Sequence, residues 1–230
     1  MNSIHRKTDN IEIKIYSLQS NIETINKFAD IIVQLYQKKD ITNYFQFSHK
    51  IILPIFLEEK KDLDQYILKI SSSYKEKVPN WVVGFTNESC IHMMLPTQEH
   101  LEYNACIAIH ELVHLLSYQL EVKGERIKLL EEGLATYIAG QMTQGQFDKI
   151  IEDYNRSHLL SIKDLLQLNS TNFGENKGYY YAFFFIKFLK ITYGKEKIKY
   201  YIVNPQKFYK DIDWLEKQFK DFLISLCKLK

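Results

Sequence analysis

The sequence predicts an α+β fold: a small N-terminal α/β lobe with a mixed sheet over residues 1–98, then a mainly helical C-terminal lobe over 99–230. Three observations carry this. Short apolar runs suited to strands are confined to the part of the chain before Pro96. Amphipathic stretches of helical period separate those runs. Beyond His100 the helical period continues almost to the end, punctuated by glycines and capping signals. With 230 residues, 46% of them hydrophobic, the chain can bury a sizeable core.

Taken in order, residues 11–15 alternate apolar and charged side chains and read as a strand with one wet face. Ser20 and Glu23 make a capping-box signal. The helix they open should run to about Lys39, with Ile22, Ile25, Phe28, Ala29, Ile32, Leu35 and Tyr36 on one face. Residues 50–57 are apolar around Pro54, which suits a strand near a sheet edge. Residues 58–74 read as a helix with Leu63, Tyr66, Ile67 and Ile70 towards the sheet. Residues 79–96 read as two strands around a polar turn. His92 alternates with its neighbours there, and a surface position is the expectation.

The run at 108–116 has no glycine or proline and reads as a helix. It contains His110-Glu111-Leu112-Val113-His114, an H-E-x-x-H motif. Positions four apart share a helix face, so His110 and His114 can grip one metal ion. Glu111 sits beside that ion without binding it, where it can hold a reacting water. The same spacing also suits two core histidines on a buried helix. After a turn at 122–126, residues 129–137 are helical again. Catalytic zinc takes three protein ligands and keeps one position open, and His₂Glu is a standard set. Glu132 on this second, antiparallel helix is the candidate third ligand, turned inward by Gly133, Leu134 and Ala135. Glu131 reads as a solvated acid favoured by the helix dipole.

The second helix should end near Gln144 and Gly145. Further helices are expected at 146–154, from a capping start at Ser161, from Tyr179 to a C-cap at Gly194, at 195–203 and at 213–228. Residues 172–178 form the clearest loop, polar with two glycines and able to cover a cleft before Tyr179. His158 is expected on a surface loop.

H-E-L-V-H followed by E-E-G-L-A-T-Y resembles the gluzincin metallopeptidases, in particular the peptidase MA-like members related to the aminopeptidase N family. The resemblance spans roughly residues 50–194. It implies a zincin-like arrangement with a cleft between the lobes, one Zn²⁺ per chain on His110, His114 and Glu132, and Glu111 as general base. Tyr179, opening an apolar helix, matches the family's tyrosine that donates to the oxyanion; Tyr180 and Tyr181 compete for that role, and plain core aromatics remain the alternative. The W-x-x-G-F start at Trp81 is similar to the hairpin before the family's zinc helix, which makes residues 91–95 the implied edge strand for an extended substrate. The family's G-x-M-E-N motif is not matched: Gly84-Phe85-Thr86-Asn87-Glu88 lacks Met and reverses Asn and Glu, which leaves Glu88 as a turn residue and gives no support for exopeptidase specificity.

Charge and cysteines narrow the classes. Thirty basic and 28 acidic residues give a net charge of +2, with lysines scattered, which argues against nucleic-acid partners and acidic membranes. Cys90, Cys106 and Cys227 are odd in number and widely spaced, as for reduced thiols in a cytoplasmic protein. The first ten residues contain no apolar core of a signal peptide, and no run is long enough to span a membrane. The expected activity is zinc-dependent hydrolysis of a peptide or protein substrate, with oligomeric state left open. The rival reading is a catalytically silent binding or regulatory module that retains the metal site.

Overall fold

The computed structural model describes residues 2–229, apart from 19–20, 40, 46–49, 72–73, 75, 88 and 170–171. The chain forms two compact units, Met1–Gln119 and Leu120–Lys230.

The first unit is built on a five-stranded mixed sheet in the order β1-β2-β3-β5-β4. β1 (Asn2–Lys7) and β2 (Ile11–Ser17) form an antiparallel pair. β3 (Ile51–Glu58) runs parallel to β2, and β5 (Ile91–Met94) runs parallel to β3. β4 (Gly84–Thr86) closes the order antiparallel to β5. α1 (Ile22–Lys38) and the short α2 (Ile41–Tyr44) connect β2 to β3, and α3 (Lys60–Ile70) follows β3. A parallel pair needs such crossovers, because a hairpin cannot reverse the chain twice.

The two faces of the sheet differ. Ile11, Ile13 and Ile15 of β2, Leu53, Ile55 and Leu57 of β3, and Ile91 and Met93 of β5 share one face and are buried. α4 (Leu101–Tyr118) packs on α1, β4 and β5. Ile107 and Glu111 of α4 meet Gly84, which is paired with Met93 and so lies on that same face. α3 covers the other face: Leu63 and Ile67 pack with Val78, Val82, Phe85 and Met94. α4, expected with the helices after residue 98, thus belongs to the sheet's own unit.

Several expectations are corrected. β5 is not an edge strand: it lies between β3 and β4, so its backbone is paired on both sides. β3 is likewise interior. Pro54 is tolerated because the pairing of β3 with β5 begins only at Ile55, leaving one side of the strand unladdered at Pro54. β1 was not anticipated, since only Ile4 of its six residues is buried. α3 ends at Ile70, which is exposed, well short of residue 74. α1 is capped by Asn21, whose side chain accepts from the Thr24 amide; the Ser20 signal lies outside the described residues.

The second unit is helical: α5 (Lys128–Ala139), α6 (Gln144–Asn155), α7 (Ile162–Leu166), α8 (Gly178–Tyr193), α9 (Lys195–Val203) and α10 (Pro205–Lys228). α5 stops earlier than residues 144–145, because Gly140 adopts φ 70° and its amide bonds back to Thr136 and Tyr137. α6 has a full capping box between Thr143 and Gln146, and α7 one between Ser161 and Asp164. α10 begins at Pro205, a residue suited to the first helical position, and not at 213. α5 packs on α8 so closely that a Cβ on Gly133 would lie 2.6 Å from the Ala182 carbonyl oxygen. Phe185 of α8 meets Phe208 and Phe219 of α10 edge to face, at 5.9 and 5.1 Å between centroids. Among the described residues, no helix is long and apolar enough to cross a membrane.

Candidate metal centre

α4 carries the first part. Its apolar residues bury the helix nearly all round, and His110 and Glu111 are buried with it while His114 is partly so. The helical repeat brings His110 Nε2 and His114 Nε2 to 3.0 Å from each other. Two nitrogens at about 2.05 Å from a tetrahedral ion would be about 3.3 Å apart. The pair therefore has the separation and the chemistry of a two-imidazole ligand set.

Glu111 is positioned by β4. Thr86 donates its hydroxyl to Glu111 Oε2 at 2.6 Å, and the same hydroxyl lies 3.1 Å from the Glu111 carbonyl. Gly84 gives the carboxylate room: a Cβ there would sit 3.2 Å from Glu111 Oε1 and 3.0 Å from Ile107. The strand therefore holds the acid by one short hydrogen bond and leaves the rest of its acceptor capacity for other partners. Thr86 and Gly84 were not recognised as site residues in the sequence. The approach of Gly84 to Glu111 of α4 joins residues 27 positions apart, so the local sequence around Gly84 carries no signal of it.

The second unit carries Glu132 on α5. Its side chain is 14% exposed, and Lys128 Nζ lies 3.6 Å from Oε1. A carboxylate this enclosed benefits from a cation, and one turn of helix supplies one. Glu131 is not the solvated acid expected: Arg126 donates to its Oε1 at 2.6 Å, and its side chain is 15% exposed. Thr136, one turn after Glu132, is buried, and its hydroxyl has no hydrogen-bond partner among the described residues. An orphaned hydroxyl on the same helix face as a candidate ligand suits the outer support such ligands require.

The three tyrosines at the start of α8 separate. Tyr181 is fully buried and donates to Asp153 Oδ2 at 2.9 Å, while Lys177 holds the other oxygen at 2.6 Å. Burial, reinforced by the Asp153 carboxylate, pushes its phenol well above the usual tyrosine range. Tyr181 therefore serves the core. Tyr179 is partly exposed and packs edge-on to Phe173 at 5.0 Å, and Tyr180 lies beside Lys149. His158 is exposed, as expected.

His92 departs most from expectation. It is 8% exposed, sits 3.8 Å from Tyr66 ring to ring, and pairs through Nδ1 with Glu58 at 3.1 Å. Alternation placed it on one face of its strand without revealing that α3 covers that face. Glu88 lies outside the described residues. No family model matches the chain, and no curated protein matches it.

Proposed function

We propose that the chain is a zinc-dependent metallopeptidase of gluzincin type, with His110, His114 and Glu132 as metal ligands and Glu111 as general base. The observation that carries this reading is the convergence of the two imidazole nitrogens at 3.0 Å on a helix whose adjacent acid is oriented from a strand. A purely structural site has no use for an oriented, uncoordinated carboxylate beside its ligands. Two imidazoles with one carboxylate, the donor set that His110, His114 and Glu132 offer, suit Zn²⁺.

A bound zinc ion supplies Lewis acidity and electrostatic stabilisation of developing negative charge. The chain's own residues do the rest. Glu111 takes the proton of the attacking water through the oxygen not engaged by Thr86, then returns it to the departing amine. Thr86 keeps the carboxylate in one rotamer through both transfers. Tyr179 is the proposed donor to the oxyanion, a role whose loss costs about 10²–10³ in rate.

Zinc-loaded wild type and Glu111→Gln, each incubated with a diverse peptide mixture and read by mass spectrometry, test the reading. Wild type should cut and Glu111→Gln should not, with metal content equal in both. Glu132→Ala and His110→Ala should lose zinc by elemental analysis. Cutting by Glu111→Gln removes the assigned base. Stoichiometric zinc with no cutting by either protein favours the silent binding module.

A further inference from the structure

A second set of reactive side chains lies on the other face of the sheet from Glu111, and the proposed peptidase chemistry does not use it. Cys90 Sγ is 3.4 Å from His92 Nε2, and His92 Nδ1 is 3.1 Å from Glu58 Oε1. A carboxylate only accepts, so the proton on the ring belongs on Nδ1 and the Nε2 lone pair faces the thiol. Thiol, imidazole and carboxylate are thus in series, an arrangement that makes a nucleophile of a thiol. Glu58 Oε2 is buried with no hydrogen-bond partner among the described residues, so the carboxylate's only polar partner there is the imidazole. Tyr66 stacks on the ring at 3.8 Å and Phe56 at 5.1 Å, which together hold the plane of the imidazole. The thiol itself remains partly exposed. Asn87 Oδ1, also 3.4 Å from the sulfur, gathers the Ser89 and Cys90 amides and fixes the turn that presents it.

We propose that Cys90 is a nucleophilic thiol activated by the His92–Glu58 pair, and that it reacts with small disulfides to form a mixed disulfide. Nε2 of His92 takes the thiol proton as the sulfur attacks one sulfur of the disulfide. The S–S bond of the reagent breaks, and the departing sulfur leaves with the bonding pair and receives the proton back from His92. Cys90 is oxidised, the small disulfide is reduced, and one small thiol is released. Glu58 steadies the imidazolium between the two transfers. The relay both removes and returns a proton, which suits disulfide exchange, where the leaving thiolate gains from protonation.

The chain contains its own controls. Burial pushes the thiols of Cys106 and Cys227 up, so neither should compete. The intact chain would be treated with 4,4′-dithiodipyridine, with the release of thiopyridone followed by absorbance and each cysteine assigned by peptide mass spectrometry. Cys90 should react first, and roughly tenfold or more faster in the folded chain than in the same chain in urea. His92→Gln and Glu58→Gln should lose that acceleration, while slow labelling of Cys106 and Cys227 reports that each variant is folded. Glutathione disulfide should then modify Cys90 alone. A Cys90 no faster folded than unfolded overturns the proposal without recourse to any variant. Undiminished acceleration in folded His92→Gln overturns it equally.

Discussion

At the scale of single residues, the histidine pair is legible in the sequence because helix geometry alone relates His110 to His114. No tertiary information is needed to bring positions four apart onto one face. The groups that orient Glu111 are a different matter. Thr86 reaches the acid from a strand 25 residues earlier, across a contact that exists only once α4 lies on β4. Its contribution is testable: Thr86→Val keeps the shape, removes the hydroxyl, and should lower kcat about tenfold or more while zinc content stays at the wild-type level. An equal loss of zinc would assign Thr86 to the integrity of the metal site and not to the base. His92 shows the converse limit. Period-two alternation assigns a residue to a face, but only the packing of α3 shows that the face is covered.

At the scale of elements, the sequence locates the elements better than their ends. The apolar face of α1 is a strong repeat, and α4 shows itself as a continuous apolar run without glycine or proline. Ends depend on single backbone conformations, and Gly140 stops α5 by taking a left-handed conformation that its neighbours do not announce. β1 contributes one buried residue and so carries no alternation to read. Helix contacts also give two glycines opposite meanings. Gly133 is where α5 meets the α8 backbone, so Gly133→Ala should cost roughly 1–3 kcal/mol in a denaturant titration. Gly145, in the first turn of α6, has nothing near an added Cβ, and Gly145→Ala should stabilise by about 0.5 kcal/mol. If the two substitutions have the same sign, the close approach of α5 to α8 is not what Gly133 provides.

At the scale of the whole molecule, two units with different contact patterns share one chain. The second is made of helices joined by short connections, mostly local in sequence, whereas the first depends on parallel pairings across crossovers. Long-range pairings are slow to form. The strand order adds a consequence for synthesis. β5 enters beside β3 only after more than thirty further residues have been made, so each newly emerging chain presents an open β3 edge rich in isoleucine and leucine. Such an edge is a template on which neighbouring nascent chains can pair. Pro54 sits in its middle and cannot donate to an incoming strand. Pro54→Val should therefore leave the folded protein little changed yet raise light scattering during refolding at micromolar concentration, and equal scattering from both proteins would deny the proline this protective part. A residue that reads as an oddity in the finished sheet would then guard the interval before that sheet exists.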